Sequence, residues 1–173
     1  MELLKTIKEE EAYPGTNPAK SEKWKFRRAA RAVVFDEGNK VALLNVSRHN
    51  YYKLPGGGIE NSEAVEEALQ RECLEEIGCR VIIKQELGSI VEYRNKIGVE
   101  QESYCYIAKL DGEKGEAKLE QDEADAGFKT VWVDINRAIE LVEGSKPKDT
   151  YDGPFIKIRD SIFLNKAKKI IGK

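Results

Sequence analysis

Between Glu60 and Glu76 the chain carries seven glutamates, at 60, 63, 66, 67, 72, 75 and 76, against one basic residue, Arg71. Glu72 and Glu76 lie one helical turn apart, a spacing at which like charges repel by roughly a few tenths of a kcal/mol even in water. Partial removal from solvent strengthens that repulsion, so the cluster calls for a cation among its carboxylates. A hard divalent ion held by oxygens fits. Mg²⁺ in particular takes few protein carboxylates and keeps positions for substrate phosphates. A solvated, glutamate-rich surface helix is the competing reading of the same residues.

The element that must position them is a helix over Ser62–Ile77. Asn61 or Ser62 can cap its first free N–H groups, Glu63, Glu66 and Glu67 suit its positive end, and Gly78 stands where a left-handed C-terminal cap belongs. At about 100° per residue, Val65, Leu69, Cys73, Leu74 and Ile77 form one apolar arc. Glu72, Glu75 and Glu76 form the neighbouring arc, which turns Glu76 toward the rim of the core. Just before the helix, Leu54-Pro55-Gly56-Gly57-Gly58 is a stiff entry followed by glycines, whose backbone can approach an ion or a phosphate closely.

Joined in this order, the residues resemble the Nudix box, G-x5-E-x7-R-E-U-x-E-E-x-G-U, with U aliphatic. Gly57, Glu63, Arg71, Glu72, Glu75, Glu76 and Gly78 fill every fixed position. The two U positions hold Cys73 and Cys79, a departure that keeps them small and apolar. The resemblance implies an α/β fold, a Nudix-type α/β/α sandwich with a mixed β-sheet, and a metal-dependent hydrolase of nucleoside diphosphates linked to another group. It implies Glu72, Glu75 and Glu76 as metal ligands, helped by the carbonyl of Gly56, with Mg²⁺ or alternatively Mn²⁺ as cofactor. It also implies an ion pair between Glu63 and Arg71 that fixes the loop, which brings Arg71 into the catalytic set. The proton of the attacking water then needs a base. A box glutamate is one source; the other is the acidic loop Glu113–Asp125, where Glu123 is the first choice and Glu120 the second, against plain loop solvation.

Length and charge narrow the rest. A chain of 173 residues suits one domain, expected over 26–173 after an N-terminal extension of 1–25. With 29 basic against 31 acidic residues, nothing global argues for a nucleic acid polymer or a membrane as partner. No apolar run approaches a membrane span and the charged start is no secretory signal, so the expected compartment is the cytoplasm. Three cysteines without zinc spacing read as reduced fillers, and His49, the single histidine, as a loop residue. The expected partner is a small nucleotide-diphosphate molecule. Oligomeric state stays open, a homodimer included.

Along the chain, Leu3, Leu4 and Ile7 suggest one strand or a short helix laid on the surface, broken off by Pro14, Gly15, Asn17 and Pro18. In the basic run that follows, Lys20, Lys23 and Lys25 read as a solvent face, whereas Arg27 and Arg31 share strand parity and lead into the core as substrate-binding candidates. Strands are expected over 29–35, 40–47, 81–94, 103–110 and 129–135, and helices over 137–142 and 154–171. Tyr51 and Tyr52 precede the glycines; Tyr52 is the candidate to stack on a base, with packing as the alternative. On substrate, a nucleoside triphosphate such as 8-oxo-dGTP leads, as in the MutT-like branch of the family. A nucleotide sugar, a dinucleoside polyphosphate or a non-catalytic ligand sensor are the alternatives. No proline lies between Cys79 and Pro147, whereas the family's ADP-ribose hydrolases usually have one shortly after the box. Tyr93 falls short of where its dinucleoside polyphosphate hydrolases place a tyrosine, and reads as a strand residue.

Overall fold

The computed structural model describes residues 1–17 and 21–172; the readings of Pro18 and Lys20 lie outside them. In chain order the elements are β1 (Leu3–Ile7), α1 (Glu9–Ala12), β2 (Lys25–Phe35), β3 (Val41–Val46), β4 (Tyr51–Lys53), α2 (Val65–Ile77), β5 (Arg80–Arg94), β6 (Val99–Asp111), α3 (Gln121–Asp125), β7 (Phe128–Val133), α4 (Ile135–Glu143) and α5 (Gly153–Ile171). Seven strands form one mixed sheet in the order β1-β5-β6-β2-β3-β4, with β7 also pairing β3. The pairs β1–β5 and β2–β6 are parallel and the others antiparallel.

Strand periodicity sends alternate residues to opposite faces, and β2 shows what that does. Ala30, Ala32 and Val34 pack with Ala68, Leu69, Cys73 and Ile77 of α2 on one face. Val33 and Phe35 pack with Ala138 and Val142 of α4 and Phe155, Phe163 and Leu164 of α5 on the other. The result is the expected sandwich, a mixed sheet between the glutamate-bearing helix and the later helices. Leu3–Ile7 takes the strand alternative, at the edge of the sheet with Leu3 exposed. It enters the sheet as a strand parallel to β5 and buries Ile7 completely.

Two local departures bear on the site. The helix expected from Ser62 starts only at Val65, with Ala64 at the cap, and Ser62 takes a left-handed φ of 68°. The reason is Glu63, which stays in the loop because Arg71 grips both of its oxygens, at 3.0 and 3.1 Å. Glu67 reaches back to accept the Ala64 N–H at 3.0 Å in place of an Asn61 or Ser62 cap. At the far end Gly78 is left-handed, φ 65°, as expected. The acidic loop is not wholly irregular either: residues 121–125 turn into α3.

Candidate active site

A cavity of about 450 Å³ opens between the glycine loop, α2, the start of β2 and the first turns of α5. The glycines admit α2 to it. Gly56 adopts φ +127°, and a Cβ there would overlap the Ala30 carbonyl of β2. A Cβ on Gly57 would overlap the Glu72 carboxylate. Only glycines let the loop pass between the sheet and that carboxylate.

Glu76, 1% exposed, forms the floor. It accepts from Gly56 N–H at 2.6 Å and from Lys53 Nζ at 2.5 Å, while Lys53 also points at the Gly56 carbonyl, 3.4 Å away. The ammonium therefore stands between the two oxygens that the resemblance assigns to a metal. Glu72, also buried, has its carboxyl pushed above the usual range, first by burial and then by the charge of Glu76. Arg71 is the hub of the rim. Besides Glu63, it donates to Glu72 at 2.8 Å, Glu75 at 3.1 Å and the Gly58 carbonyl at 3.0 Å. These carboxylates keep the guanidinium firmly protonated.

The oxygens available fit a hard divalent cation: two buried carboxylates, a third at the rim, and a carbonyl already attracting a positive charge. They are not gathered on one point. Among the described residues no three histidine, cysteine or acidic side chains form a ready metal cluster; Arg71 engages Glu72 and Glu75, and Lys53 engages Glu76. The cation that the glutamate spacing demands is supplied here by these two side chains.

Facing the glutamates, the loop before β7 contributes Glu120 and Glu123. Glu123 accepts the Glu120 N–H at 2.9 Å. Its carboxyl is pushed up to about 7, mainly by burial and then by the negative charge of Glu76. Across the cavity stand Arg27 and Arg31 of β2, Arg94 and Gln101 of β5 and β6, and Arg159 of α5. Arg31 is 6% exposed; burial, followed by the nearby charge of Arg159, lowers its guanidinium to about 10. Burial likewise lowers Arg27.

The residues singled out from sequence thus converge, with one exception. Gly56, Arg71, Glu72, Glu75, Glu76, Glu120, Glu123, Arg27 and Arg31 all line the cavity, and Tyr52 does not. Tyr52 points to the opposite face of β4, packs against the cluster under α4 and α5, and donates its N–H to Ser145. Its neighbour Lys53 has the cavity-facing parity. His49 lies in an exposed loop turn and Tyr93 packs edge-on against Trp24. Sequence reasoning missed Lys53, Arg94, Gln101, Asp152 and Arg159. For Arg159 a signal existed: 155, 156, 159, 160, 163, 164 and 167 make one buried helical stripe, which puts a charged pair, Arg159 and Asp160, at core positions.

A model of the NUDIX domain matches residues 25–155. Among curated proteins, "Nudix hydrolase 13, mitochondrial" of Arabidopsis thaliana is 30% identical over 116 residues, 61% of this chain. The chain spans 55% of that relative's length. "Putative 8-oxo-dGTP diphosphatase" of Bacillus subtilis (strain 168) is 30% identical over 112 residues, 65% of this chain and 69% of that protein. Among solved structures, the MutT protein of Methanosarcina mazei Go1 superimposes with a TM-score of 0.57 at 18% identity, covering 87% of this chain and 99% of that one. With Gly57, Arg71, Glu72, Glu75 and Glu76 of the box on one cavity of this sandwich and the domain model matched over 25–155, the chain belongs to the Nudix family.

Proposed function

We propose that this protein hydrolyses a diphosphate linkage in a nucleotide substrate with a divalent cation, Mg²⁺ or Mn²⁺, held by Glu72, Glu75, Glu76 and the Gly56 carbonyl. The observation that carries the proposal is the buried Glu76 carboxylate beside Glu72 and the Gly56 carbonyl, facing arginines across one cavity. The bound ion would neutralise phosphate oxygens and polarise the attacking water. The chain's own residues do the rest. Arg27 and Arg31 contact anionic oxygens of the substrate on the side of the cavity away from the metal site, where enclosure makes each charge-assisted bond stronger than in water. Glu123 is the base: its raised pKa leaves it near neutrality, poised to take a proton from water. Arg71 fixes the rim without touching substrate, holding Glu63, Glu72 and Glu75 in one fork. Retention of all four box glutamates favours turnover over a sensor role.

The name of the Bacillus relative makes 8-oxo-dGTP the first nucleoside triphosphate to try, with nucleotide sugars and dinucleoside polyphosphates as the alternatives. Cys73, Cys79 and Cys105 are all free and buried, which suits a reducing compartment such as the cytoplasm. No helix of the described residues is long and apolar enough to cross a membrane. The test is a panel assay following phosphate and pyrophosphate release from canonical and oxidised nucleoside triphosphates, ADP-ribose, dinucleoside polyphosphates and nucleotide sugars, with Mg²⁺ and with Mn²⁺. Metal-dependent cleavage of at least one, lost in Glu76→Gln, is expected. Cleavage of none, or cleavage unaffected by EDTA, would sink the proposal.

A further inference from the structure

We propose that the buried end of the cavity, built by Arg31 and Arg159 with Arg27 beside them, is an anion subsite, so that the preferred substrate carries a second anionic group beyond its scissile diphosphate. The group is a phosphate monoester or a carboxylate. This rests on the diphosphate-hydrolase reading and adds the class of substrate to it.

Buried arginines that serve only the fold have their donors satisfied. These do not. Arg31 makes no ion pair among the described residues, and its Nε and Nη1 are buried without a hydrogen-bond partner. Arg159, 0% exposed, donates from Nε to Asp160 at 2.7 Å. Its Nη1 and Nη2 have no partner, and the nearest carboxylate oxygen, Glu92 Oε1, stands 3.6 Å from Nη1. Arg27 makes no ion pair either and lies against Gly58 at the cavity wall.

Of the neighbouring carboxylates Asp160 and Asp152 are already engaged, and Glu92 is engaged through Oε2, its buried Oε1 having no hydrogen-bond partner. Asp160 accepts from Arg159 and from the Leu54 N–H at 2.8 Å. Asp152 accepts from Arg94 at 2.7 Å, and Glu92 accepts from Arg94 and Gln101, both at 2.9 Å. None of these oxygens makes a hydrogen bond to Nε or Nη1 of Arg31 or to Nη1 or Nη2 of Arg159. Leaving buried charged donors unpaired is costly, and an anion with several oxygens satisfies them at once. The walls offer little to an uncharged base instead. Their apolar side chains are Ile59, Phe128 and Ile156, and the Phe128 ring carries the Lys53 ammonium 4.9 Å from its centre.

The subsite is tested without metal, so that failure of hydrolysis and failure of the subsite are read separately. Calorimetric titration of the full chain with inorganic tripolyphosphate in EDTA should give one site per chain. Arg31→Gln and Arg27→Gln should each weaken it about ten- to a hundredfold, the loss of a charge-assisted hydrogen bond, whereas Glu72→Gln should leave it intact or tighten it. Far-UV circular dichroism checks that each variant is folded, and Arg27, on an exposed position of β2, serves if Arg31→Gln is not. With Ca²⁺ present, 5-phosphoribosyl diphosphate should bind at least tenfold more tightly than ADP, whose ribose carries an uncharged base, rather than a second phosphate, across from its diphosphate, and Arg31→Gln should erase the difference. No binding in EDTA, binding indifferent to both arginines, or a preference for ADP would overturn the subsite.

Discussion

Replacing Glu76 by Gln removes one charge from the most enclosed carboxylate of the cavity, and its cost follows from two bonds. The carboxylate accepts from Gly56 N–H at 2.6 Å and Lys53 Nζ at 2.5 Å. A glutamine can keep its oxygen on the backbone N–H, but its amide nitrogen then meets the ammonium, donor against donor. Losing a hydrogen bond to a charged group costs about 1.5–3 kcal/mol, and stripping a buried charge of its partner costs about 3–5 kcal/mol. Lys53 has partial alternatives in the Gly56 carbonyl, 3.4 Å away, and the Phe128 ring, which puts the loss near the lower range, about 2–3 kcal/mol. For a domain of this size that lowers Tm by roughly 4–12 °C, within what a typical fold survives. Differential scanning calorimetry with and without Mg²⁺ reads both consequences. The native protein should gain Tm as Mg²⁺ is added, and Glu76→Gln should start lower and gain little. Pairing it with Lys53→Met should recover at least half of the loss, because both partners are then gone. A Glu76→Gln variant with native Tm and a native response to Mg²⁺ would refute the reasoning.

Lys53→Met alone removes the ammonium that competes for Glu76 and the Gly56 carbonyl, so the rise in Tm on adding Mg²⁺ should be larger than in the native protein; a smaller rise would count against competition. Arg71→Lys keeps the charge and loses the planar fork that reaches Glu63, Glu72, Glu75 and the Gly58 carbonyl. It should lower Tm and turnover together, and native melting with reduced turnover would place Arg71 on the substrate instead. Glu123→Gln should lower kcat by about 10² to 10⁴ with an unchanged Tm response to Mg²⁺. Because the base works as the carboxylate, the native rate should rise with pH toward about 7, and the variant should lose that limb. Stability runs the other way: the folded carboxyl holds its proton above its ordinary 4.5, so its contribution is full below that pH and is lost as pH climbs through about 7. A Glu123→Gln protein whose stability falls over that window as the native protein's does would remove Glu123 as the titrating group.

How far the fold was legible depended on whether a segment's pattern was local. The β-rich run of β2 and the apolar stripe of α5 are each legible within their own residues; α5 forms where it was expected, and β2 includes the expected 29–35 but starts four residues earlier, at Lys25. The start of α2 was not legible in this way. Asn61 and Ser62 are good caps by type, but the boundary is set by Arg71, eight residues downstream of Glu63, which holds that glutamate in the loop. Likewise Leu3–Ile7 alone does not choose between strand and short helix; its partner is β5, more than eighty residues away. Short segments paired across such distances acquire their structure from the sheet.

The candidate site divides along the same line. Its acidic half was readable because Glu72, Glu75, Glu76 and Arg71 sit within two turns of one helix, and helical spacing brings them together. Of its basic half, Arg27 and Arg31 were readable from their shared parity on β2, but Arg94 comes from β5 and Arg159 from α5, and no spacing rule links those to Arg31. Lys53 marks the boundary between the halves. The crowding of glutamates was sound ground for expecting a positive charge among them, but it could not say which charge. In the structure a lysine from β4 answers it together with Arg71, so carboxylate repulsion alone is weaker support for a metal than it looked. The stronger support is the Gly56 carbonyl. A backbone oxygen presented by a residue that must be glycine gains little from one ammonium 3.4 Å away, whereas a divalent cation would draw on that carbonyl and on Glu76 together.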